Sequence, residues 1–188
     1  MTAQTSAPKR RNAEKTRARI LDVAQKMFSA KGYSQTGIRD IAAGADISSP
    51  LLLRYFGSKA GLFEEALAQA MQSSRLFDTE RQHFGKHLAE LMMDKERSII
   101  PPSIIALSSG DEEARDIASS VAQEKILNPL AQWLGPPMSD TRALEILMMS
   151  MGFLMFTRLF PLGDAIGEDL SELEQRFALS IQAIVDEV

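Results

Sequence analysis

The chain has 188 residues, of which 45% are hydrophobic and 24% charged, enough apolar material for a sizeable core and too much for overall disorder. With no cysteine and two histidines, it excludes disulfide frameworks, thiolate metal sites and cysteine nucleophiles, and supplies metal or general acid–base chemistry poorly. The net charge of −4 averages a basic head with an acidic body: residues 1–60 hold eleven basic and four acidic side chains, and 61–188 hold ten basic and 21 acidic. Such a division is expected of a polyanion-binding module joined to a module of another kind.

Residues 1–12 are small, polar and basic. They have no apolar run to serve as a secretory signal and are expected to form a flexible basic arm. From Ala13 to Lys31, Ile20, Leu21, Ala24, Met27 and Phe28 recur at spacings of three and four, which predicts a helix closed by Gly32. A short helix follows with Ile38, Ile41 and Ala42, capped by Thr36 or Gly37. Ala45 to Ser48 make a four-residue turn in which Asp46 tolerates a left-handed backbone. Ser48 caps a third helix, Ser49 to Phe56, and Pro50 falls in its first turn, where a missing N–H costs nothing. Gly57 ends that helix, and Ser58 caps a fourth that is expected to reach roughly Arg75.

Further helices are expected around Lys86 to Arg97, stopping before Pro101-Pro102, and from there to Gly110. Asp111 starts a long helix with Glu112 and Glu113 complementing its dipole, and Pro129 should kink it. Gly135-Pro136-Pro137 is a hard break. Two last helices span Ser139 or Asp140 to Phe160 and Glu168 to Val188. The first of them is apolar almost all round between Ile146 and Phe156, so it needs cover on two sides: a second copy of the chain, or its own core. No apolar run approaches the roughly 18 residues of a membrane span, and a cytoplasmic location is expected.

Two short helices joined by a four-residue turn inside the basic head, backed by a longer helix, have the layout of a helix-turn-helix. Ile38, Ile41, Ala42, Ile47, Leu52 and Phe56 can form a core with Ile20, Ala24 and Phe28, leaving Arg39, Ser49, Pro50, Leu53, Arg54 and Tyr55 outward. The residues Gly32-Tyr33, Thr36, Ile38-Arg39-Asp40-Ile41-Ala42, Ala45, Ile47-Ser48, Leu52, Arg54-Tyr55-Phe56 and Ser58-Lys59 lie in one ungapped register. Together they resemble the N-terminal signature of TetR-family transcriptional regulators, over about residues 15–67. The resemblance implies an all-helical homodimer, a palindromic operator, and a variable C-terminal domain whose small-molecule ligand releases the DNA.

Departures from the family pattern are informative. Asp46 stands where the family usually has glycine. Pro50-Leu51 and Leu53 replace its usual Gly-Thr and tyrosine, so the common tyrosine contact to phosphate is missing. An apolar tip reads thymine methyl groups and makes no hydrogen bonds to base edges. Specificity then leans on Arg39, a frequent base-reading position of the family, with Ser49 and Arg54 as further candidates. Thr36, Ser48, Tyr55 and Lys59 are expected on phosphates. Lys9, Arg10 and Arg11 either follow the DNA or form a solvated tail.

The rest of the chain supplies soft apolar side chains suited to an apolar or aromatic ligand. The expected lining is Phe84, Met92, Met93, Trp133, Met148, Met151 and Phe156, each of which also reads as ordinary core or dimer interface. Arg158 either anchors an anionic group of the ligand or pairs at the dimer seam. Two other classes of function remain open: a helical dimeric adaptor that has lost DNA binding, and a helical enzyme with a metal on His83 and His87, which share a helix face at i and i+4. No nucleotide-binding loop or nucleophile arrangement accompanies the histidines, and no cofactor is expected.

The resulting expectation is an all-α chain of about nine helices. It comprises an arm (1–12), a three-helix helix-turn-helix domain (13–57) and a ligand-binding and dimerisation domain (58–188). The dimer, formed through the last two helices, would hold two recognition helices about 34–36 Å apart. Ligand entry would move the fourth helix like a lever.

Overall fold

The computed structural model describes residues 7–71, 73–94, 101–160, 162 and 170–187; the side chains of 7–10, 73–74 and 101–102 lie outside that description. Among the described residues there are nine helical runs and no β-strand. The first is α1 (Ala7–Lys31), followed by α2 (Ile38–Gly44), α3 (Ser49–Phe56) and α4 (Lys59–Ala70). After two short 3-10 turns come α5 (Phe84–Met93) and α6 (Pro101–Ser108). In α7, Glu112–Ala122 passes through a π-helical turn, Gln123–Leu127, into Asn128–Leu134. Then α8 (Ser139–Leu154) ends in a second π turn, Met155–Leu159, and α9 (Leu170–Asp186) closes the fold.

The caps follow side-chain chemistry. Ser48 accepts from Leu51 N–H, Ser58 from Gly61 N–H and Asp111 from Ala114 N–H, each satisfying a backbone donor that the first turn of a helix leaves orphaned. Several boundaries differ from the sequence-based expectation. Helix α1 begins at Ala7, inside the stretch expected to be an arm, because nothing between Pro8 and Gly32 breaks it and a proline in the first turn forfeits no hydrogen bond. Residues 1–6 lie outside the described residues. Helix α4 stops at Ala70, short of Arg75, with Ser73–Phe77 forming a 3-10 turn. Pro101-Pro102 opens α6 instead of merely preceding it, again as first-turn prolines. The π turn before Pro129 widens α7 at the place where a kink was expected.

Two apolar cores organise these elements. The first joins Ile20, Leu21, Ala24 and Phe28 of α1 to Ile41, Leu52, Phe56, Leu62, Phe63 and Leu67, and continues into Ile104 of α6 and Ala114, Ala118 and Val121 of α7. Helix α4 therefore packs in one core with α1 to α3. Gln25, buried in α1, donates to Ala66 O at 2.9 Å and to Gln69 Oε1 at 3.2 Å, which fixes α1 against α4. The second core gathers Phe84, Leu88, Leu130, Leu134, Ile146, Phe153, Phe177, Ile181 and Val185 from α5, α7, α8 and α9. Gly85 sets the closest approach there: a Cβ on it would stand 2.1 Å from Ala178 O of α9.

Candidate nucleic-acid interface

The α1–α4 head is built so that α2 and α3 turn one surface outward. Asp46 takes φ 50°, the left-handed conformation that its short polar side chain tolerates. Ile47 N–H donates to Ala42 O at 3.0 Å and closes the turn. Leu52 and Phe56 face the core, so the opposite face of α3 is left exposed: Pro50, Leu51, Leu53 and Arg54, with Leu51 36% and Leu53 40% exposed. Arg39 on α2 is also exposed. Neither Arg39 nor Arg54 makes a hydrogen bond or ion pair to another described residue, so both guanidinium groups keep all their donors available.

The expected phosphate contacts divide. Ser48 is exposed, with its oxygen engaged as the α3 cap; Ser49, expected as a specificity candidate beside Arg39, is half-buried. Tyr55 is half-buried and packed on the first core, with its ring 6.2 Å from that of Phe56. Lys59 lies half-buried with Nζ 4.1 Å from the centre of the Tyr33 ring, an internal cation–π contact. Thr36 departs from the expectation: it is 2% exposed and its hydroxyl donates to Gly32 O at 2.7 Å. That threonine secures the end of α1 from inside the fold and has no surface to offer a phosphate. Arg11 is exposed, while the side chains of Lys9 and Arg10 lie outside the described residues.

Of the eight residues expected to line a ligand site, Phe84, Met92, Met93, Trp133 and Arg158 come together, and Met148, Met151 and Phe156 stand apart from them. The rings of Phe84 and Trp133 pack at a tilt of 32° with centres 4.6 Å apart, and Met92 and Met93 pack at the edge of the same core. Met148 and Phe156 stand on the outer side of α8, 67% and 55% exposed, and Met151 is half-buried. Arg158 donates to Met92 O at 3.3 Å and Asp94 O at 3.0 Å, clamping the C-terminal end of α5, where carbonyls lack helical partners and a cation is favoured. Sequence reasoning missed two more such clamps. Arg142, 1% exposed, donates to Leu134 O, Gly135 O, Ile184 O and Glu187 O, and Arg81 donates to Trp133 O, Leu134 O and Val185 O. Together they join the ends of α7 and α9. An arginine in the first turn after a Gly-Pro-Pro break carries no local sign of this, since its partners come from distant segments.

His83 lies in the 3-10 turn before α5, and Nε2 of His87 is hydrogen-bonded to Arg75 O at 2.7 Å. Among the described residues no group of three or more potential ligands is placed to hold a metal ion, and no helix is long and apolar enough to cross a membrane.

A family model described as bacterial regulatory proteins, tetR family, matches residues 20–66, which include the whole α2–α3 surface. A second, described as the tetracyclin repressor-like C-terminal domain, matches residues 82–185, more than half of the chain. The chain belongs to the TetR family. It is a DNA-binding transcriptional regulator of that family, whose members are transcription factors and not enzymes.

Among curated relatives, the regulator shares 41% identity over 54 residues with the uncharacterized HTH-type transcriptional regulator YvkB of Bacillus subtilis. It shares 38% over 56 residues with the HTH-type transcriptional regulator AcrR of Shigella flexneri. These matches span only 29% and 26% of the relatives' own lengths, and 29% and 30% of this chain. Solved structures resemble it over nearly its whole length. A TetR-family regulator from Streptomyces coelicolor superposes with a TM-score of 0.63 at 23% identity, over 91% of this chain and 80% of that one. NalD, the secondary repressor of the MexAB-OprM multidrug efflux pump in Pseudomonas aeruginosa, gives 0.61 at 20% identity, over 91% and 97%. At these identities the likeness is one of fold.

Proposed function

We propose that this regulator is a cytoplasmic homodimeric repressor that holds a palindromic operator through the α2–α3 surface of each subunit and is released by a small ligand. The observation that carries this reading is the pair of unpartnered guanidinium groups, Arg39 and Arg54, on the exposed face of a helix-turn-helix within a head of net positive charge. Arginine donates bidentately to guanine O6 and N7, which makes Arg39 and Arg54 the base readers; Ser48, Ser49, Tyr55 and Lys59 hold the backbone, and Pro50 and Leu53 fill the groove. Lys59 reaches phosphate only by leaving the Tyr33 ring. Repression is favoured over activation because occupying a promoter needs no further contact surface.

The dimer forms through α8 and α9. Leu144, Met148 and Phe156 of α8 and Leu173 and Leu179 of α9 are exposed, and apolar side chains gathered on two adjacent helices call for a partner. That role replaces ligand binding for Met148 and Phe156. The second core, around Phe84, Trp133, Met92 and Met93, remains the place for an apolar or aromatic ligand. A ligand there acts on DNA only by binding the two head spacings with different affinity. Helix α4 is suited to transmit the change, since it packs between α1 and α7.

Selection from a random duplex library with the purified protein tests the reading. Recovery of one palindrome, bound with steep salt dependence, is the expected result. Recovery of nothing above random DNA contradicts it and favours the adaptor reading, in which the leucine-rich α3 meets a protein.

A further inference from the structure

We infer that the tip of α3 reads the 5-methyl group of pyrimidines in the major groove, so that it accepts thymine and 5-methylcytosine and loses affinity for uracil and cytosine at the same positions. The inference rests on the operator-binding role proposed above, and it concerns what the site recognises chemically. Three of the eight residues of α3, namely Pro50, Leu51 and Leu53, place apolar surface on its exposed side. Pro50 and Leu53 lie three apart along one edge of that side, and Leu51 and Arg54 lie three apart along the other. Leu51 belongs to this surface although sequence reasoning left it out of the site.

The hydrogen-bonding inventory of the tip is narrow. Pro50 has no N–H, and the oxygen of Ser48 already accepts from Leu51 N–H. From Ser48 to Tyr55 there is no carboxylate and no carboxamide. The strong polar groups are the guanidiniums of Arg39 and Arg54, which donate and never accept. A surface of donors and hydrocarbon suits guanine, whose major-groove edge only accepts, and the pyrimidine C5 methyl, which is the sole apolar group a base pair presents there. Adenine N6 and cytosine N4 are donors and find no carboxylate or carboxamide on α3, the carboxylates of the helix-turn-helix being those of Asp40 on α2 and Asp46 in the turn. The two unpaired cations beside the leucines, within the basic head, also fix the occupant as a polyanion that carries methyl groups, in preference to an apolar protein face.

The test uses a fluorescein-labelled duplex of the site recovered by library selection, titrated at fixed salt. Each thymine of a half-site is replaced in turn by uracil, and then by cytosine or 5-methylcytosine with guanine in place of the opposing adenine, so that the pair stays matched and only the methyl differs within each comparison. At the contacted positions, removing the methyl from thymine should weaken binding about fourfold, the effect of withdrawing roughly one buried methyl-sized group, and methylating cytosine should regain a similar factor. Leu51→Ala and Leu53→Ala, both at exposed positions and checked for unchanged helix content by circular dichroism, should each erase the methyl effect at one position. Equal binding of thymine and uracil duplexes at every position overturns the inference alone, as does a methyl effect that survives both substitutions. Failure to recover any site overturns the inference together with the operator reading beneath it.

Discussion

Tyr33 shows how one side chain can tie the DNA-binding head to the rest of the molecule. Its ring packs edge-on against Phe63 at 5.0 Å and lies under Lys59, its N–H donates to Ser108 Oγ at 3.0 Å, and its hydroxyl donates to Glu113 at 2.6 Å. Burial first, and then the Glu113 carboxylate, raise its ionisation well above the ordinary value near 10. The folded state thus favours the protonated phenol, and its contribution is complete below pH 10. It is lost as pH rises beyond that, because the unfolded chain ionises first. Tyr33→Phe should cost about 1 kcal/mol near neutral pH by urea denaturation, and the gap from wild type should narrow above pH 10. Buried Arg142 should be less forgiving. Arg142→Ala leaves the carbonyls at two helix ends without their donor and opens a cavity, with an expected loss of roughly 3–5 kcal/mol in the same assay. Neither role was legible in the sequence: Gly32-Tyr33 marked a helix end, but Glu113 lies 80 positions away and nothing local pairs them.

At the scale of elements, what the sequence told reliably was written in short-range chemistry. Ser48, Ser58 and Asp111 cap where their spacing to an apolar run placed them, Asp46 takes the left-handed turn, and Ile20, Ala24, Phe28, Leu52 and Phe56 face inward by helical period. Prolines misled because one residue type both stops a helix and opens one, and Pro101 does the second. Met148 and Phe156 part from the rest of the expected ligand lining for a different reason. Apolar spacing identifies Met148 and Trp133 alike as non-solvent residues, but only packing tells the outer face of α8 from the second core. Gly85 is the residue on which the packing of α5 against α9 depends. Gly85→Ala forces the methyl into Ala178 O, and it should lower stability by roughly 1–3 kcal/mol with the loss centred on that helix pair, as hydrogen exchange can localise.

For the whole molecule, continuity of the first core matters most. It runs from α1 through α3 and α4 into α6 and α7, so a displacement of α6 and α7 has no apolar gap across which to dissipate before it reaches the head. A Cβ on Gly32, which has φ 73°, would stand 2.3 Å from Leu107 O, and Ser34 donates to Asp111 at 3.1 Å; the turn after α1 is seated directly on the α6–α7 corner. In the proposed dimer, the exposed apolar side chains of α8 and α9 would meet those of a second copy of the chain. Met148→Glu combined with Leu179→Glu should shift the dimer toward monomer in analytical ultracentrifugation without loss of helix content, because both side chains are 60% exposed or more in the subunit. A dimer of unchanged affinity would move the interface off these helices.

Arg39 decides whether the α2–α3 surface reads sequence. Affinities of the wild-type protein and Arg39→Ala should be measured for the selected operator and for a scrambled duplex at one salt concentration. The substitution should weaken operator binding by roughly tenfold to a hundredfold, the worth of a bidentate base contact, while binding to scrambled DNA changes little. Equal losses on both duplexes, or none on either, would contradict sequence reading by that surface.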